Sequence, residues 1–137
     1  MGVIMNTGLY FFSYSRKDTS FALELAKALR EKGVRIWLDQ LDISDGERWD
    51  RAVETAFRSC NGVMVVLTPY SVESANVMNE AYHAIDAGKQ VIPLLYKTCN
   101  IPLRLQRMQS IDFTNNFEAG LQQLLRRIES TEPPGVE

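Results

Sequence analysis

The chain has 137 residues, 45% hydrophobic and 23% charged, enough for one domain with a real core. A net charge of −2 argues against a nucleic-acid binder, which carries a basic excess on some face. One histidine and two cysteines, Cys60 and Cys99, with no CxxC pair, exclude a metal quartet of thiolates and imidazoles.

The opening MGVIMNTG is too short and too uncharged for a signal peptide, and residues 1–7 read as an extension ahead of the domain. No apolar run approaches the roughly 18 residues of a membrane span, so no membrane association and a reducing, cytoplasmic setting are expected.

From residue 8, short apolar runs alternate with helical patterns. "LYFF" (9–12), "VRIWLD" (34–39), "GVMVVLT" (62–68), "VIPLLY" (91–96) and "SIDF" (110–113) read as strands. Unbroken runs of this kind suit a parallel sheet covered on both faces. Between the first two, Phe21, Ala22, Leu25, Ala28 and Leu29 share one helical stripe, with Ser15 and Asp18 at capping-box spacing and Gly33 as the stop. The next helix, 47–60, aligns Trp49, Ala52, Val53, Ala56 and Phe57 behind a second such pair, Ser44 and Glu47. In the helix ending at Gly88, Met78, Ala81, Tyr82 and Ile85 align, which places Glu80 almost opposite the apolar stripe and predicts it exposed. Residues 97–109 read as a loop with a short helix near Pro102; the last helix aligns Phe117, Leu121, Leu124, Leu125 and Ile128. The tail, 130–137, reads as a disordered end or a linker.

This alternation predicts a flavodoxin-like, doubly wound five-stranded parallel sheet with helices on both faces, spanning residues 8–129. Ligands of such sheets bind outside the carboxyl ends of the strands. The loops to inspect are 13–18, 39–46, 68–75, 97–103 and 114–116.

Several chemistries are absent there. No GxGxxG follows the first strand and no GxxxxGK[ST] occurs anywhere. Ser13, Tyr14 and Ser15 stand where a phosphoacceptor receiver needs acids, and Thr68-Pro69 where it needs an aspartate. The lone histidine, His83, has no GxSxG elbow to serve. Polar and aromatic groups remain at the strand ends: Ser13, Tyr14, Ser15, Arg16, Asp39, Trp49, Tyr70, Ser71, Ser74 and Glu80.

Three stretches carry a family resemblance. "YFFSYSRKD" (10–18), "VRIWLDQLDISDGERWDRAVETAF" (34–57) and "VMVVLTPYSVESANVMNEAYHAI" (63–85) resemble, in order and spacing, the boxes of TIR (Toll/interleukin-receptor) domains. The resemblance runs from about residue 8 to 129. It implies one of two activities: cleavage of NAD at the nicotinamide–ribose bond, as in bacterial, plant and axonal members, or non-enzymatic TIR–TIR adaptor binding. The cleaving members use a glutamate in a pattern resembling S-x-W-V-x-x-E. Here Ser74, Val77 and Glu80 match, and Asn76 replaces the tryptophan. NAD would be a substrate, with no separate cofactor.

A glutamate suits that reaction. Nicotinamide leaves as a neutral molecule from a cationic pyridinium and needs little acid help; the difficulty is the positive charge developing on the ribose. A fixed carboxylate beside the sugar stabilises it, as in glycoside hydrolysis. The resemblance makes Glu80 the catalytic group. By position, Arg16 would pair with a phosphate, Trp49 would stack on a ligand ring, Phe12 and Ser13 would floor the pocket, and Ser74 would bond a ribose hydroxyl. Each has a plainer alternative: Trp49 lies on an apolar stripe, Phe12 belongs equally to a core, and Arg16 equally to a solvated turn. The resemblance further implies self-association through the BB loop, about residues 39–48.

Overall fold

The computed structural model describes residues 8–39 and 49–130. Residues 40–48, most of the expected BB-loop surface and the Ser44–Glu47 pair, lie outside the described residues, as do the first seven residues and the tail beyond 130.

Five strands form one parallel sheet: β1 (Leu9–Ser13), β2 (Arg35–Trp37), β3 (Gly62–Leu67), β4 (Gln90–Leu95) and β5 (Ile111–Asp112), in the order β2-β1-β3-β4-β5. All five runs expected from the sequence are strands, with ends shifted by one or two residues. Among the described residues, α1 (Thr19–Glu31), α2 (Trp49–Ser59), α3 (Ala75–Asp86) and the four-residue α4 (Leu103–Gln106) lie between successive strands, and α5 (Phe117–Glu129) follows β5.

Strand alternation divides the core into two. Tyr10, Phe12, Met64, Val66, Ile92 and Leu94 face α1 and α5. Phe11, Val63, Val65, Leu67 and Val91 face α2 and α3. This two-per-repeat division follows from side chains pointing to opposite faces along each strand. β3, buried along its whole length between both layers, has the continuous apolar sequence that such a strand requires.

α1 and α3 each stop at a glycine with positive φ, Gly33 at 89° and Gly88 at 76°, the left-handed conformation that glycine adopts without steric cost. The start of α1 departs from the sequence expectation. Ser15 caps a 3₁₀ turn over Arg16–Asp18, accepting from the Lys17 amide, and α1 begins only at Thr19. The capping box does not form because the Asp18 carboxylate points inward. It is 4% exposed and accepts the Thr68 hydroxyl at 2.7 Å. Thr68 also accepts from the Tyr70 and Ser71 amides, and the Ser71 hydroxyl accepts from the Thr68 amide at 2.9 Å. This buried network fastens the loop after β1 to the loop after β3.

Candidate active site

Strand order reverses between β1 and β3, because the chain runs outward from β1 to β2 and then returns to the far side of β1. Crevices open at the carboxyl end of such a switch point. A cleft of ≈ 350 Å³ lies there, lined by residues from the ends of β1 and β2, from α2 and from the start of α3.

Its central contact is between Ser13 and Glu80. Ser13 ends β1 on the same side of the sheet as Phe11, facing α2 and α3. Its hydroxyl, 1% exposed, donates to Glu80 Oε1 at 2.6 Å. Glu80 is half-buried, which corrects the exposure expected from the periodicity of its helix. The buried face of α3 is formed by Val77, Met78, Ala81 and Ala84, while Tyr82 and Ile85 are only partly covered. Glu80 lies three residues after Val77 and four before Ala84, on the flank of that face rather than opposite it. Burial pushes the Glu80 carboxyl above its ordinary value of 4.5; the Ser13 hydrogen bond opposes this and the charge of Asp39 adds to it.

A second polar cluster, Tyr14, Arg16 and Asp39, lines the same cleft. Phe11 and Trp37 are register partners, and just beyond them the Tyr14 hydroxyl meets Asp39. Asp39, 13% exposed, accepts from the hydroxyl of Tyr14 and pairs with the Arg16 guanidinium at 2.9 Å. The same guanidinium lies 5.9 Å from the Tyr14 ring centroid. Tyr14 titrates well above an ordinary phenol because burial, then its bond to Asp39, disfavours the phenolate. Phe11 and Trp37, stacked at 5.2 Å and 11°, line the cleft as an apolar wall.

Phe12, Arg16, Ser74, Asn76 and Glu80 all line the cleft, and Ser13 lies directly behind Glu80. Phe12 is also core, 2% exposed. The Ser74 hydroxyl caps α3 by accepting from the Val77 amide at 3.3 Å. Arg16 is already paired with Asp39, so a phosphate on it would have to compete with a carboxylate. Trp49 is the first residue of α2; the disposition of its side chain lies outside the description. In the sequence Tyr14 and Asp39 are marked only as polar strand-end groups, and Trp37 and Val53 are not marked as lining residues. The pairing of β1 with β2 brings the first three together, and local sequence spacing carries no signal for it.

The TIR-domain family model matches residues 11–125. The chain is 28% identical over 124 residues to the uncharacterized protein y4cD of Sinorhizobium fredii, spanning 85% of this chain and 19% of that protein. It is 25% identical over 88 residues to the probable 2' cyclic ADP-D-ribose synthase BdTIR of Brachypodium distachyon, spanning 63% of this chain and 39% of that one. The chain thus covers less than half the length of either relative. Among solved structures, the TIR domain of the Toll-related receptor TRR-2 of Hydra magnipapillata superimposes with a TM-score of 0.74 at 21% identity, covering 88% of this chain and 98% of that one. The RPS4 and RRS1 TIR domain heterodimer gives 0.55 at 17%, covering 90% and 96%. At these identities the structural likeness speaks for the fold alone. With the family model matched over most of its length and the five-stranded parallel sheet in place, this chain belongs to the TIR-domain family.

Proposed function

We propose that this TIR domain cleaves NAD at the nicotinamide–ribose bond, releasing nicotinamide and ADP-ribose or a cyclic ADP-ribose. The observation that carries the reading is the half-buried Glu80 carboxylate, held by Ser13 at 2.6 Å in a cleft at the sheet's switch point. A sequence relative named as a probable 2' cyclic ADP-D-ribose synthase supports the same chemistry.

In this reading the bond to nicotinamide breaks with its electron pair moving to the ring nitrogen, which neutralises the pyridinium. The positive charge passes to the ribose. Glu80 faces that charge across a cleft with low-dielectric walls, where a carboxylate interacts more strongly than in water. Ser13 fixes Oε1, which orients the carboxylate before the reaction and leaves Oε2 for the sugar. The Phe11–Trp37 stack offers an apolar surface to the nicotinamide ring. Water or a hydroxyl of the ligand itself then takes the cation, giving the linear or the cyclic product.

The other reading is a non-enzymatic TIR–TIR interaction module, favoured by Asn76 in place of the tryptophan of cleaving relatives. Self-association, with the loop of about residues 39–48 reaching a neighbour, is part of both readings. Incubation of concentrated domain with NAD, followed by proton NMR, distinguishes them. Cleavage predicts the appearance of free nicotinamide at a rate per molecule that rises with protein concentration. Intact NAD, with a crowding scaffold also tried, would transfer the reading to the interaction module.

A further inference from the structure

A second depression adjoins the cleft. It runs between α2 and α3, has a volume of ≈ 700 Å³, and shares Val53, Asn76 and Glu80 with the first. The two therefore border one another at Val53, Asn76 and Glu80. In the S-x-W-V-x-x-E pattern this position carries the largest side chain; here a short exposed amide lines both spaces.

We infer that the α2–α3 groove is a purine-nucleoside subsite, taking the adenosine end of the dinucleotide whose nicotinamide end occupies the Glu80 cleft. The inference rests on the NAD-cleaving reading for the identity of the whole ligand. The groove's own chemistry argues for the nucleoside. The ≈ 350 Å³ cleft lies at the low end of small-ligand sites, roughly 300–1,000 Å³, so a dinucleotide needs adjoining space. The groove wall carries an aromatic pair, Phe57 and His83, edge-on at 6.1 Å, of the kind on which a base packs. Beside it stand the carboxamides of Asn76 and Asn79, and a carboxamide matches the donor and acceptor of adenine's N6–N7 edge. Charge excludes a simple anion site. Glu54 pairs with Arg58 at 2.8 Å, and Lys89 donates to the Cys60 carbonyl at 2.6 Å, so the cations at the far end are already engaged. The lining carries Glu54 and Glu80 against Arg58 and Lys89, a balance suited to an uncharged ring rather than a free phosphate.

His83 is the only histidine in the chain, so its imidazole resonances report this groove alone. The test titrates the domain with AMP, with ADP-ribose and with nicotinamide mononucleotide while following the His83 ring signals. Saturable shifts with AMP and ADP-ribose, and none with nicotinamide mononucleotide, are expected. A companion measurement uses Asn76→Trp, which narrows the passage between the two spaces. It is expected to raise KM for NAD about tenfold, the factor for one lost stacking contact, with the KM of nicotinamide mononucleotide moving less than about twofold. A His83 signal that ignores AMP and ADP-ribose overturns the inference, as does one that moves only with protein concentration, which would give the groove to a second copy of the chain. If Arg16→Ala, rather than Asn76→Trp, separates NAD from the mononucleotide, the adenosine end leaves the cleft past Arg16 and the inference also fails. Because the His83 titration needs no turnover, absence of NAD cleavage would sink the activity while leaving the subsite to be read separately.

Discussion

Removing the Ser13 hydroxyl isolates the contact on which the site depends. In Ser13→Ala, Glu80 loses a 2.6 Å hydrogen bond at a position 1% exposed, too enclosed for water to replace the donor freely. A hydrogen bond to a charged group contributes about 1.5–3 kcal/mol and one between neutral groups about 1 kcal/mol. The loss is therefore larger when Glu80 is ionised. The sign follows from the groups facing the carboxyl. The Ser13 bond lowers its pKa, whereas burial and the charge of Asp39 raise it. Without Ser13 only the raising influences remain, so the folded-state pKa climbs further above the unfolded value. Stability linked to a raised carboxyl pKa is fully present below the unfolded value and is lost as pH rises through the folded one. The penalty of Ser13→Ala thus grows with pH. At roughly 4 °C per kcal/mol for a chain of this length, Tm falls by about 6–12 °C near pH 8 and by about 4 °C near pH 4. Circular-dichroism melts across that range measure it. A pH-independent loss would refute the claim that the Ser13 hydroxyl serves a buried carboxylate. The acid limb of the cleavage pH profile, where Glu80 must ionise, is expected to move to higher pH in the same variant.

Glu80→Gln retains an oxygen acceptor for Ser13 but cannot ionise, so it should melt higher than the parent above the ordinary carboxylate range and show no gain below it; melts at both ends check this. Asp18→Ala removes the acceptor of the buried Thr68 hydroxyl and should cost about 1.5–3 kcal/mol in urea unfolding, with Asp18→Asn recovering part of it. Gly120→Ala would place a Cβ 2.5 Å from the Phe113 ring, so overpacking should cost about 1–3 kcal/mol, relieved when combined with Phe113→Leu.

The strands were legible because their apolar runs are continuous, which only a sheet covered on both sides requires. The stops at Gly33 and Gly88 were legible for a local reason, the positive φ that each adopts. Glu80 stands out as a candidate through its family pattern, whereas its burial has no such mark. Helical periodicity locates an average apolar face, and α3 lies with Val77 and Ala84 turned inward, carrying Glu80 onto the flank. The roles of Asp18 and Asp39 were hidden for a related reason. Asp18 has the spacing of a local cap, but its carboxylate reaches Thr68, 50 residues away. Asp39 acquires Tyr14 and Arg16 only because β2 pairs beside β1. Contacts created by strand order have no signature in local spacing.

Nicotinamide release from NAD by the parent, Glu80→Gln and Glu80→Ala asks whether the Glu80 carboxylate stabilises the ribose charge formed as the nicotinamide–ribose bond breaks. Release by the parent and a loss of about 10²-fold or more in both variants are expected, with Glu80→Gln as folded as the parent. Release undiminished in a folded Glu80→Gln would contradict that role, and silence from the parent at high concentration would leave Glu80 without the chemistry assigned to it.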